Sequence, residues 1–85
     1  MPYIAQESRG EFSPHACGVP HATKSGELNF QITELLGMYW HAHGPNYQCI
    51  NDILGALEGA KAEFYRRIAV PYEMEKIKQN GDVWI

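Results

Sequence analysis

Lys61, Tyr65, Arg66, Arg67 and Tyr72 bring three cations and two phenol rings into the stretch "KAEFYRRIAVPY". Residues of these types can form an anion site. Ammonium and guanidinium groups contact phosphate, and a ring stacks on a base or a cation. Lys61 has a further peculiarity: by helical phase it falls inside an apolar stripe, between Leu57, Phe64 and Ile68. A lysine there must snorkel to water or be paired. Glu58 on the flank of the same stripe, or Glu27 on another helix, is the expected structural partner; an anionic ligand is the alternative.

A second group of reactive types is His15, Cys17 and His21, three donors in seven residues. Zinc takes sulfur and imidazole nitrogen in a tetrahedral array, but its structural sites usually show paired ligands such as C-x2-C. No second pair exists here, so no metal site is assigned. His41 and His43 are two apart and point roughly 160° from each other on a helix, so they do not share a face. A protonated imidazole gains from the dipole at a helix C-terminus, which is reason enough for them. The chain has no nucleophile elbow, phosphate loop or HExxH motif. The expectation is a protein that is not an enzyme and needs no cofactor.

The elements that must position these residues are helical. Leu28, Ile32, Leu35 and Tyr39 recur at spacings of three and four, predicting a helix over 26–43. Ser25 is placed to cap its start, with Glu27 in the first turn. Gly44, in a left-handed conformation, and Pro45 are expected to stop it. Asn46 is the expected cap of a second helix over 46–70, whose stripe is Ile50, Ile53, Leu54, Leu57, Phe64 and Ile68. Pro71 then ends or kinks it. So short a connection turns the second helix back antiparallel to the first. "YEMEKIKQ" reads as a short third helix, and "NGDVWI" as a turn followed by an extended apolar tail. Trp84 and Ile85 are expected to dock on the hairpin, or the tail to pair with "PYIA" in a minor two-stranded β-ribbon. The fold class is therefore mostly α: an antiparallel helical hairpin, a short third helix and that ribbon.

Gly55 and Gly59 interrupt the longest helix, where each glycine costs about 1 kcal/mol relative to alanine. At about 100° per residue they fall, with Ala62, on nearly the opposite side from the stripe. Small residues four apart let another backbone approach closely. On the first helix Phe30, Gly37 and Trp40 likewise lie away from Leu28, Ile32 and Leu35. A lone hairpin buries one face per helix, so either the terminal segments or a second subunit covers the other. Gly55, Gly59, Ala62, Phe30, Gly37 and Trp40 are the expected interface of a homo-oligomer.

The totals set bounds. An 85-residue chain has room for one domain and a thin margin of stability, which favours self-association. It is read as one helical domain over 1–85: an irregular segment 1–24, with one short helical turn after Ser13, a helical core 25–79 and a tail 80–85. The net charge of −3 and pI near 5.7 argue against a nucleic-acid polymer as partner. No apolar run reaches the roughly 18 residues of a membrane span, and "MPYIAQESRGEF" has no basic start or apolar block. The expected setting is the cytoplasm, with Cys17 and Cys49 as free thiols.

"SGELNFQIT", "YQCINDILGALEGAKAEFYRRIAVPYEMEKI" and "NGDVW" together resemble a small family of phage and prophage proteins of unknown function. The likeness covers most of residues 25–84. Its elements GELN, ND-x3-GALE-x2-K-x-EFYRR, PYE-x2-KI and NGDV are specific as a set. The resemblance implies a phage setting, hence the cytoplasm of the host cell, and a compact helical fold; it implies no activity. Setting, size and the basic-aromatic cluster together lead to an expected function. It is an oligomeric, non-enzymatic protein that sequesters a small anionic signalling molecule such as a nucleotide and so counters host defence, with Lys61, Arg66 and Arg67 on phosphate and Tyr65 or Tyr72 stacking. The alternative is an interaction or structural accessory protein that binds a host or phage polypeptide.

Overall fold

The side-chain oxygen of Asn46 accepts a 2.7 Å hydrogen bond from the backbone N–H of Cys49. In the computed structural model this cap opens the longest helical run of the chain. The structure describes residues 4–13 and 18–84. A 3₁₀ turn (Gln6–Ser8) leads into α1 (Arg9–Phe12), α2 (Ser25–His43), α3 (Tyr47–Phe64), a π-helical turn (Tyr65–Ala69) and α4 (Val70–Asn80). The fold is mostly α.

Among the described residues there is no strand, so the ribbon drawn from the termini is corrected. Ile4, Ala5 and residues 81–84 carry no ladder, and Pro2, Tyr3 and Ile85 lie outside the described residues. Two short segments without a third strand are marginal in water. The tail folds locally instead: the Trp84 N–H donates to the Asp82 carboxylate at 2.9 Å.

The chain divides into two compact units, Met1–Ala42 and His43–Ile85. In the first, the start of α2 is organised differently from the expected Ser25 cap. Ser25 is already helical, and Glu27 reaches back to accept from the backbone N–H of Thr23 at 2.8 Å and from its hydroxyl at 2.9 Å. The contact resembles the reaching-back half of a capping box but goes one residue further, to Thr23, since Lys24 is the residue whose carbonyl takes the first helical bond. The same two bonds, the backbone one foremost, hold the Glu27 carboxyl below the usual carboxylate range. Gln31 donates to the Pro20 carbonyl at 2.8 Å and ties the 18–24 segment along the first turns of α2.

In the second unit Asn46 serves two helix ends. Its amide nitrogen donates to the His43 carbonyl at 2.9 Å while its oxygen caps α3. Gly44 does not take the left-handed conformation expected of it, since positive φ is found at Gly18 and Gly81 among the described residues, and the Gly44–Pro45 peptide is cis. With Asn46 satisfying an orphan carbonyl, a left-handed residue is not needed there.

Pro71 neither ends the helix nor starts a separate one. The backbone stays right-handed helical at Phe64, Ala69 and Val70, so helical structure runs unbroken from Tyr47 to Asn80. The reason lies in the π turn. Proline has no N–H to donate, and its ring collides with the carbonyl four residues back, which costs about 3 kcal/mol inside a helix. Here the Val70 N–H bonds to the Tyr65 carbonyl, five residues back, and Pro71 falls in the first turn of α4, where a missing donor costs little. Gly81, at φ 83°, closes α4 with its N–H on the Ile77 carbonyl at 2.8 Å.

Cys49, 2% exposed, is the buried hydrophobic among the described residues. Ile53 and Ile77 are half-buried. Within α4, Val70, Met74 and Ile77 recur on one side at helical spacing, with Tyr72 and Lys76 on another.

Candidate functional site

Glu63 sits at the centre of the basic-aromatic stretch, on the last turn of α3, and only 16% of its side chain is exposed. Its Oε1 accepts from Arg66 Nη2 at 2.6 Å and its Oε2 from Arg67 Nε at 2.9 Å. The pairs are three and four residues apart along the helix. With both arginine side chains about two-thirds exposed, each pair contributes about 0.3–0.5 kcal/mol. Their larger effect is on availability: one carboxylate orients and half-neutralises both arginines.

The remaining expected ligands are spread around the same rod. Tyr65 and Tyr72 are exposed, and the Lys76 ammonium lies 5.5 Å from the centre of the Tyr72 ring, a cation–π contact one helical turn long. Lys61 is exposed on α3, and Glu58, its expected partner on that helix, does not pair with it. Glu27, the other candidate, is engaged by Thr23. Lys61 therefore takes the snorkelling option.

The π turn also alters which residues share a face. An i→i+5 bond encloses one more residue than an i→i+4 bond, so α4 is rotated by roughly 100° from where a continuous α-helix would set it. A single wheel drawn from Ile50 holds for α3 but not for Tyr72. The sequence places Glu63 and Lys76 in the family pattern, but neither is among the expected site residues. The signal for both is present in the spacing, since Glu63 to Arg66 and Arg67, and Tyr72 to Lys76, are the i,i+3 and i,i+4 neighbours that meet on a helix surface.

The expected interface residues differ in exposure. Gly55 is open: a Cβ built there meets nothing within 4 Å, and the same holds at Gly37. Ala62 is exposed and Gly59 half-buried. On α2, Phe30 is exposed and Trp40 half-buried. His15 and Cys17, together with the Pro14 turn, lie outside the described residues, and His21 lies in the irregular segment before α2. No group of three His, Cys, Asp or Glu side chains poised for a metal occurs among the described residues, and no helix among them is long and apolar enough to cross a membrane.

Fold and site define a class: a small, mostly α protein with a self-paired cationic and aromatic surface built around a π turn. The chain belongs to the family described as Domain of unknown function (DUF6899), whose model matches residues 1–83. No curated protein and no solved structure matches it.

Proposed function

We propose that this chain is a non-enzymatic binding protein whose helices are completed by another polypeptide. The reading rests on large apolar side chains that stand open along one long helical run. Helical structure in the second unit runs from Tyr47 to Asn80. Tyr65, Ile68, Tyr72 and Met74 lie in its second half, each more than half exposed. Taking one large apolar side chain fully out of water is worth about 1.5–3 kcal/mol, so a few such contacts decide between a single copy and an assembly. The partner meets the face of α3 that carries Gly55, Gly59 and Ala62, and on α2 Phe30, Gly37 and Trp40. The phage setting and the host cytoplasm belong to this proposal through the resemblance in sequence.

The second reading, capture of a small anion such as a nucleotide to counter host defence, is favoured by the exposed rings of Tyr65 and Tyr72 beside Lys61, Arg66 and Arg67. It ranks second because Glu63 already half-neutralises both arginines and the Lys76 ammonium lies on the Tyr72 ring, which leaves little net positive charge for a phosphate. Sedimentation of the whole chain from micromolar to millimolar concentration, with amide exchange across residues 65–80, tests the first reading. The expected result is concentration-dependent assembly, or binding of a defined polypeptide, with slowed exchange in that span. A single copy throughout, together with calorimetric heat on adding nucleotides, would overturn it in favour of the second.

A further inference from the structure

We infer that the polypeptide completing this surface is a second copy of the chain, its 47–80 helix antiparallel to the first about a two-fold axis at Gly59. The inference rests on the binding reading above and adds the partner and its geometry.

Charge sets the orientation. With the axis at Gly59 the two helices overlap over residues 47–71, where residues 47–58 carry Asp52 and Glu58, a net −2, and residues 60–71 carry Lys61, Arg66 and Arg67 against Glu63, a net +2. That stretch thus has an acidic half and a basic half. A parallel pair sets like against like along its whole length, and an antiparallel pair sets each half against its complement, which is how charge fixes orientation between partners. Charges separated by more than about 8 Å are screened at physiological salt, so the complement matters only if the backbones come close.

Spacing then fixes the register. Asp52 and Arg66 are each seven residues from Gly59, two helical turns or roughly 10.5 Å along the axis; seven α-helical residues return Asp52 to within about 20° of the same side, and the entry into the π turn widens the offset of Arg66 to roughly 60°. Asp52, Gly59 and Arg66 therefore share one face. With the two-fold axis at Gly59, Asp52 of each copy stands level with Arg66 of the other, and symmetry makes the pair twice. Both side chains already belong to hydrogen-bonded sets, Asp52 accepting from Gln48 at 2.8 Å and Arg66 donating to Glu63, so they are held in place before the partner arrives. The same axis puts Gly55 level with Glu63, where the open space at Gly55 leaves room for the Glu63 carboxylate and its arginines. Among the described residues of 43–85, α3 is in contact only with the π turn that continues it, and no other described element of that unit lies upon this face.

The test is charge exchange in the full-length chain, read by sedimentation equilibrium, with circular dichroism to check that each variant is helical. Asp52→Arg and Arg66→Asp are each expected to weaken self-association about tenfold or more, and the double exchange to restore it to within about threefold. Independently, Gly59→Cys is expected to yield a disulfide-linked pair joined through residue 59, located by peptide mass mapping. Wild-type assembly that neither reversal weakens, a double exchange that fails to restore it, or a cross-link that avoids residue 59 overturns the antiparallel pairing and leaves the binding reading standing. A wild-type chain that remains a single copy at millimolar concentration and binds no polypeptide removes both.

Discussion

Replacing Gly55 with alanine separates two consequences that usually travel together. In one copy of the chain the added methyl meets nothing within 4 Å, so the effect on the isolated helix is the difference in propensity, about 1 kcal/mol in favour of alanine. For a domain of this size that corresponds to a rise of about 4–8 °C in Tm. In the antiparallel pair the methyl lies four residues from the axis, in space that the partner's Glu63 and its arginines occupy. Overpacking there costs about 1–3 kcal/mol, and about 1.4 kcal/mol is a factor of ten in affinity. Gly55→Ala should therefore raise Tm at low micromolar concentration and weaken association at high concentration, with opposite signs in one variant. Thermal unfolding by circular dichroism and sedimentation equilibrium read the two effects on the same sample. A variant that melts higher and still assembles like the wild type would show that the glycine leaves no berth for another chain.

Asn46→Ala removes a side chain that serves the last carbonyl of α2 and the Cys49 amide of α3; a loss of about 1 kcal/mol or more in urea unfolding is expected. Pro71→Ala gives back an N–H that can reach the Arg67 carbonyl, so the π turn should relax to α and rotate α4 by roughly 100°; an NMR contact pattern still joining Val70 to Tyr65 would count against proline as the cause. Glu27 is held below the usual carboxylate range by Thr23, so its contribution is complete above the pKa of a carboxyl in the unfolded chain and fades as pH falls through the lower folded value. Helicity at 222 nm recorded from about pH 6 to about pH 2 should show that acid loss in the wild type, and Glu27→Gln should flatten it.

The helices are legible in the sequence because periodicity and caps are local. The spacing of Leu28, Ile32 and Leu35 places α2 within one residue of its observed start, and Asn46 performs the role its type suggests. Hydrogen-bond register is not legible in the same way. Pro71 announces only that one N–H is missing, and a chain can answer by stopping, by kinking or by stepping to the carbonyl five residues back; nothing in the composition of "YRRIA" selects the third. The terminal ribbon fails for a related reason, since an extended pattern at each end does not supply the further strand that makes pairing worthwhile. At the candidate site the sequence displays the residue types plainly, and their neighbours are easier to overlook. Glu63 is within reach of Arg66 and Arg67 by spacing alone, and its presence turns three apparent anion ligands into one exposed lysine and a pair of tethered arginines.

Cys49, a reduced sulfur with almost no contact with solvent, lies two residues into α3 from its first residue, at the N–H that Asn46 holds. An alkylating reagent can reach that thiol only when the surroundings that cover it open, so the rate at which the reagent is consumed there reports how often the molecule opens around residue 49. The molecule carries its own chemical clock for that event, at a position where no fluorophore or engineered label needs to be introduced.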